Sequence, residues 1–157
     1  MKTIVSTDIH TSFVVPVTAE KAFEAICRVS SWWSVNTVGS TSKLNDLFTV
    51  TFGETKSRFR ITEMIPGKTI NWLVEDCNLH WLKDKKEWKN TNVLFEISSE
   101  SGQTRVDMTH VGLGQGKECF EDCTKGWTHY VAESLFKLIT TGKGEPDHKD
   151  YSALQHQ

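Results

Sequence analysis

The sequence is short of the features that mark several classes of protein. Its 157 residues contain no run of about 18 apolar side chains, the length that a membrane-spanning helix needs, and its first residues lack the apolar run of a signal peptide. Lysines and arginines are scattered and the net charge is −2, so a nucleic-acid partner is not expected. These absences predict a soluble cytoplasmic protein without stable membrane insertion.

Signatures of catalysis and metal binding are also missing. The chain has no GxSxG elbow, no CxxC pair and no phosphate-cradling glycine loop. We expect its four cysteines to stay thiols in a reducing cytosol; Cys119 and Cys123, four apart on a predicted helix, either pack as small apolar groups or offer two metal ligands. His129 is interpreted as a surface histidine. We therefore expect no cofactor and no metal site.

What the chain does have is a heavy aromatic load. Six tryptophans and eight phenylalanines either fill a large core or line a pocket. The length fits one domain able to bury about 70% of its unfolded surface, and we assign it to residues 1–142. The tail, residues 143–157, has no periodicity and is expected to be disordered.

Apolar periodicity predicts a strand followed by a helix at the start of the chain. Residues 10–17 alternate, and Pro16 favours a position near a sheet edge because it donates no ladder hydrogen bond. Thr18 is expected to cap the first helix. The adjacent Trp32 and Trp33 are not expected to point into one core together, because neighbouring helical positions diverge by about 100°, so one of them is expected to lie at an opening.

Five further strands are predicted between Asp46 and Val111, followed by a long helix from Gly116 to Gly142. A turn at Ser101 and Gly102 sets the last two strands in register, with an inward face ending at His110. The lysine-rich segment 82–89 is interpreted as a solvated loop. Together these elements predict an α+β fold in which a curved six-stranded antiparallel sheet wraps around the C-terminal helix.

Several stretches in a fixed order resemble a known superfamily. They are VVPVTAEKAFEAI, ITEMIPGKTINW, TRVDMTHVGL and KGWTHYVAESLFKLI. The chain resembles the START-like (SRPBCC) superfamily with its helix-grip fold, and within it the group named after the activator of the 90-kDa heat-shock-protein ATPase. The resemblance implies a cavity between sheet and helix that holds lipids or other apolar molecules. The founding protein of the group is a co-chaperone with a further N-terminal domain that is absent from this sequence, so a chaperone partner is less expected than a small molecule.

Three titratable residues on the predicted inward faces are candidates for chemistry. His110 either exchanges a proton with a ligand or is satisfied by a backbone carbonyl, and Glu63 and Asp76 either orient a polar group or lie beyond the covered sheet. The pattern supports no catalytic pair of Glu and His. The predicted ligand-binding residues are Trp33, Phe48, Phe59, Ile61, Glu63, Trp72, Val74, Phe95, Met108, His110, Cys123, Trp127 and Tyr130.

Three functions follow from this sequence. The first is a binding protein for an apolar or amphipathic small molecule, as a monomer or homodimer. The second is a cyclase, dehydratase or hydrolase that uses His110 with Glu63 or Asp76. The third is a protein-interaction module that resembles the co-chaperone. The missing catalytic constellation favours the first over an enzyme.

Overall fold

A computed structural model describes residues 7–147 as one antiparallel sheet folded around a long C-terminal helix. The strands are β1 (Asp8–Val15), β2 (Thr37–Gly39), β3 (Leu47–Phe52), β4 (Thr55–Ile65), β5 (Thr69–Asn78), β6 (Asn92–Glu100) and β7 (Gln103–Gly114). Their order in the sheet is β1-β7-β6-β5-β4-β3-β2. The predicted α+β helix-grip class is confirmed, with seven strands rather than six because the short edge strand β2 carries too little pattern to be recognised.

Two short helices follow β1, the first of them where the sequence predicts a helix. α1 (Ala19–Cys27) begins after Thr18, whose hydroxyl accepts a hydrogen bond from the backbone of Lys21, as predicted. α2 (Val29–Trp32) follows at once. No helix in the described part of the chain is long and apolar enough to cross a membrane.

The C-terminal helix is continuous but not uniform. It consists of α3 (Phe120–Trp127), a π-helical segment (Thr128–Leu135) and α4 (Phe136–Thr141), and ends at Gly142 with a φ of 84°. The wider π turns bring the neighbours Ser134 and Leu135 into the core together. Phe136 packs edge-on against Phe13 of β1 at 5.7 Å, so the apolar last turns cover part of the sheet.

Trp32 and Trp33 are both buried, so the expectation that they cannot share one core is wrong, although Trp33 also lines the cavity described below. Trp32 and Trp33 stack on the same ring, Trp72 of β5, at centroid distances of 6.2 and 6.0 Å. The prediction assumes a core on one side of a continuing helix, whereas α2 is a single turn that ends at Trp32. The indole of Trp32 is satisfied by the carbonyl of Ile26 at 3.0 Å, which removes the cost of burying it.

The register of β6 and β7 follows the prediction. A turn at Ser101 and Gly102, both at positive φ, sets Val93 opposite His110 and Phe95 opposite Met108. β4 and β5 match the prediction only in the middle, where Phe59 lies opposite Val74.

Two bulges between β4 and β5 overturn the inward placement of both carboxylates. One extra residue at Thr62 sets Glu63 opposite Asn71, on the outer face of the sheet, and one at Glu75 sets Asp76 opposite the outward Arg58. Because each bulge reverses the alternation, a period of two carried across it assigns the wrong face. Asp76 is exposed and pairs with Lys86 at 3.0 Å.

The first residues of the predicted tail are packed against the domain. The backbone N–H of Glu145 donates to the Ser134 hydroxyl, and Asp147 exchanges backbone hydrogen bonds with Trp33 and Val35. Residues 143–147 therefore differ from the disordered tail that the sequence predicts. The rest of that tail, residues 148–157, lies outside the described residues.

Candidate functional site

The candidate site is a cavity of about 240 Å³ that opens at one end of the domain. Its walls come from the N-terminal half of the C-terminal helix, the β3–β4 hairpin, the segment after β5, and the residue that follows α2. The lining residues are Trp33, Phe52, Thr55, Leu79, Trp81, Trp88, Asp122, Cys123, Gly126, Trp127 and Tyr130.

Four of the predicted site residues line this cavity. They are Trp33, Cys123, Trp127 and Tyr130. Trp33 and Trp127 meet at a centroid distance of 4.8 Å, and Tyr130 lies 5.9 Å from Phe52 on the opposite wall. Burial, and secondarily Asp147, raises the pKa of the Tyr130 phenol, so its hydroxyl stays protonated at neutral pH.

The other predicted residues lie elsewhere. Glu63 is half-buried on the outer face of the sheet, and His110 lies beneath the cavity behind Trp88 and Trp127. Seven are packed in the core between sheet and helix without lining the cavity: Phe48, Phe59, Ile61, Trp72, Val74, Phe95 and Met108. At these seven positions the space expected along the sheet is thus filled by side chains, and the cavity lies beside the N-terminal half of the long helix.

His110 is inward as predicted, but it is held by side chains rather than by a backbone carbonyl. The indole N–H of Trp127 donates to His110 Nδ1 at 3.1 Å. Because that indole is a donor only, Nδ1 must be unprotonated, and the imidazole proton belongs to Nε2. Nε2 then donates to the Thr91 hydroxyl at 2.8 Å, which in turn donates to the Trp88 carbonyl.

This chain of hydrogen bonds fixes a neutral histidine. His110 is fully buried, and desolvation of the charged form lowers its pKa to about 3. Both ring nitrogens are engaged and neither reaches the cavity, so His110 has no free position at which to exchange a proton with a ligand. Its role is to hold Trp127 and Trp88, two walls of the site.

Two carboxylates clasp the loop after β5 to the start of the C-terminal helix. The Glu118 carboxylate accepts from the backbone N–H groups of Lys83 and Asp84, at 2.8 and 3.1 Å, and these bonds lower its pKa. In return the Glu87 carboxylate accepts from the backbone of Glu118 and Cys119. The clasp keeps the segment that carries Trp81 and Trp88 against the helix.

Cys119 and Cys123 form a disulfide in the structure, which replaces the expected pair of thiols. The bridge lies at the cavity wall, where the Trp88 indole donates to Cys119 Sγ at 3.4 Å. Cys27 and Cys77 remain thiols, and burial raises the pKa of Cys27 to about 11. No group of three metal-ligating side chains occurs within residues 7–147.

Sequence reasoning missed seven lining residues. They are Phe52, Thr55, Leu79, Trp81, Trp88, Asp122 and Gly126. The segment 82–89 was interpreted as solvated because of its lysines, yet Leu82 and Trp88 are buried. The available signal was Trp88 inside this segment and Trp81 directly before it, because a solvated loop rarely needs tryptophans.

Gly126 leaves room that any other residue would occupy. A Cβ built at this position meets no atom within 4 Å, so no close approach of another group requires a glycine here. The free space belongs to the cavity, which Gly126 lines. A larger side chain at this position would therefore enter the site.

These features define a helix-grip domain with an aromatic cavity at one end of its long helix. No protein-family model and no curated protein matches the chain. Among solved structures, the Aha1 dimer from Colwellia psychrerythraea is similar with a TM-score of 0.69 at 21% identity, covering 87% of this chain and 98% of that one.

Two further solved structures are also similar. DynU16, from the dynemicin biosynthetic locus, has a TM-score of 0.66 at 15% identity, covering 92% of this chain and 52% of its own. CalU16 from Micromonospora echinospora has a TM-score of 0.60 at 11% identity, covering 89% of this chain and 82% of its own. At these identities the likeness shows the fold alone, and the predicted helix-grip fold is confirmed.

Proposed function

We propose that this protein binds a small apolar or amphipathic molecule in the aromatic cavity. The observation that carries the proposal is an open volume with almost entirely apolar walls inside an otherwise filled core. Cavities with this lining and a few polar groups at one side are the usual form of a small-molecule site. The polar groups here are the hydroxyls of Thr55 and Tyr130 and the carboxylate of Asp122.

The volume limits the size of the ligand. About 240 Å³ is below the range of about 300–1,000 Å³ that is usual for pockets that hold drug-sized ligands. A compact molecule, or the end of a longer one that protrudes through the opening, fits these dimensions. We propose Trp33, Trp81, Trp88, Trp127 and Tyr130 as its main contacts.

An enzymatic role using His110 is less favoured. The imidazole has both nitrogens engaged and a pKa of about 3, while Asp76 and Glu63 lie outside the cavity. The general base that the cyclase, dehydratase or hydrolase alternative needs is therefore not supplied by these residues.

A protein-interaction role is the second candidate, and exposed apolar side chains near β2 favour it. Val38 and Leu47 project from neighbouring strands at the free edge of the sheet, and Leu44 is exposed in the intervening loop. Isothermal titration calorimetry of a purified 90-kDa heat-shock protein with the wild-type protein and with the Val38→Lys variant tests this role. The role predicts a binding heat for the wild-type protein that is reduced in Val38→Lys. Equal binding heats for the two, or no binding heat for either, would count against it.

The binding proposal is tested by filling the cavity. Gly126→Leu places a side chain in the open space, and Thr128→Leu places the same side chain at an exposed position of the same helix. We expect the affinity for an apolar fluorescent probe to fall at least about tenfold in Gly126→Leu and to stay unchanged in Thr128→Leu. Equal binding by both variants would show that the probe does not use the cavity.

Native mass spectrometry gives an independent test that needs no assumed ligand. Protein purified from its own host should carry a small molecule, and Gly126→Leu purified in the same way should not. If neither protein carries a ligand and no apolar probe binds, the proposed function is wrong.

A further inference from the structure

The walls of the cavity are unusual in being mainly indole rings. Four of the six tryptophans line it, Trp33, Trp81, Trp88 and Trp127, together with Phe52 and Tyr130. The face of an aromatic ring is negative, and indole attracts a cation more strongly than the other aromatic side chains do. A ligand that only needed an apolar environment would be served equally well by aliphatic walls.

The charge at the cavity is of one sign. Asp122 is the single charged residue among those that line it within the described chain. Its carboxylate makes no hydrogen bond or salt bridge with any residue from 7 to 147, not even with Lys125 three positions along the helix. An unpaired carboxylate in an aromatic wall favours a positive ligand and repels an anion.

The two lysines of the neighbouring loop whose ammonium groups have partners are directed away from the cavity. Lys85 donates its ammonium protons to the carbonyls of His80 and Leu82, within its own loop. Lys86 pairs with Asp76 at 3.0 Å, and Asp76 lines no part of the cavity. Among the described residues, the charge carried by the cavity wall itself is therefore that of Asp122.

Trp81 adds a second indication of a ligand at the mouth. Its side chain is 47% exposed although it lines the cavity, whereas Trp88 from the same loop is buried. Leaving an indole in water is unfavourable, and a bound molecule that covers it would recover part of that free energy. Trp81 and Asp122 thus border the opening with the two groups that a cation prefers.

We propose that the cavity selects a small organic cation, an alkylated ammonium group carried on a compact apolar body. This inference rests on the proposed function and specifies the ligand class of the same site. The aromatic rings contact the alkylated head and its body, and Asp122 supplies the counter-charge at the opening. Neutral and anionic molecules of the same shape bind more weakly.

Three probes of one shape and different charge separate these ligand classes. They are meta-hydroxyphenyltrimethylammonium, its neutral isostere meta-tert-butylphenol, and the anion meta-hydroxybenzenesulfonate. All three are small enough for the cavity and carry a tetrahedral head on the same phenol. Isothermal titration of the wild-type protein should give an affinity for the cation about tenfold above that for the neutral probe.

Asp122→Asn and Trp81→Leu test the two groups separately. In Asp122→Asn, the affinity for the cation should exceed the affinity for the neutral probe by no more than about threefold. The affinity for the neutral probe should be unchanged. Trp81→Leu should also weaken the binding of the cation more than the binding of the neutral probe, because leucine keeps apolar contact but has no aromatic ring. Thr128→Leu serves as the matched surface control, and circular dichroism verifies that each variant is folded.

The possible results distinguish this proposal from the function on which it depends. If the neutral probe binds as tightly as the cation, the inferred ligand class is wrong while small-molecule binding stands. The same holds if the anion binds best, or if Asp122→Asn leaves the preference intact. If none of the three probes binds, the proposed function fails and the inference fails with it.

Discussion

His110 makes a quantitative prediction about stability and pH. Its pKa is about 3 in the folded protein, against an ordinary value of 6.5. Above pH 6.5 the histidine is neutral in both the folded and the unfolded protein. Between the two pKa values, only the unfolded protein binds the proton. Folding stability contributed by His110 is therefore fully present above 6.5 and is lost as pH falls towards about 3.

The size of the effect follows from the linkage relation. Between about pH 7 and pH 5 the unfolded state gains most of a proton that the folded state excludes, which removes about 2 kcal/mol of stability. The residue is fully buried, so solvent screening does not reduce this figure. Carboxylates with lowered pKa values, such as Glu118, contribute mainly at more acidic pH.

Urea unfolding followed by tryptophan fluorescence at several pH values measures the effect. His110→Gln should lose the pH dependence, because glutamine can accept from Trp127 and donate to Thr91 but does not titrate in this range. His129→Gln, a change at an exposed helical histidine, is the matched control and should retain it. If the wild-type protein and His110→Gln lose equal stability over this interval, the buried neutral histidine is refuted.

If His110→Gln does not fold, nuclear magnetic resonance can follow the protonation state of the His110 imidazole in the wild-type protein. The imidazole resonances of His110 in the folded wild-type protein should not move between about pH 7 and pH 5. Movement with a midpoint near 6 would contradict the hydrogen-bond assignment.

Three further predictions concern the C-terminal helix. Gly126→Ala should raise the free energy of unfolding by about 0.5–1 kcal/mol in urea titration, because alanine favours the helix and its Cβ meets open space; a loss of stability would mean that the glycine backbone is required. Ser134→Ala should lower the free energy of unfolding by about 1–3 kcal/mol, since it leaves the Trp32 carbonyl and the Glu145 N–H without partners. The same variant should be cleaved faster after Lys143, and an unchanged cleavage rate would contradict the packing of residues 143–147. Reduction of the Cys119–Cys123 bridge should lower the free energy of unfolding by about 2 kcal/mol, which thermal melts with and without dithiothreitol measure. Cys119→Ser is the control, because a protein without the bridge should melt at the same temperature under both conditions.

Much of the sheet could be predicted because its signals are local. The Ser101–Gly102 turn and the alternation on either side of it set Val93 opposite His110, and the structure keeps that register. The cap at Thr18 and the long C-terminal helix likewise depend on neighbouring residues.

The carboxylates were misplaced for a physical reason. A bulge adds one residue to a strand without any compositional mark, and two of them turned Glu63 and Asp76 away from the inner face. Four of the eleven residues that line the cavity were predicted. Trp81 and Trp88 were missed because they reach the cavity from a lysine-rich loop, whose path is fixed by the carboxylates of Glu87 and Glu118. Long-range clasps of this kind leave no periodic signal in the sequence.

The tryptophan indole N–H resonances test the cavity most directly. The chain has six, and four of the rings line the cavity while Trp32 and Trp72 lie in the core. Titration with meta-hydroxyphenyltrimethylammonium, followed in proton–nitrogen correlation spectra, should shift the resonances of Trp33, Trp81, Trp88 and Trp127 and leave those of Trp32 and Trp72 in place. Shifts spread over the core pair as well, or no shift at the four cavity tryptophans at saturating probe, would contradict the assignment of this cavity as the binding site.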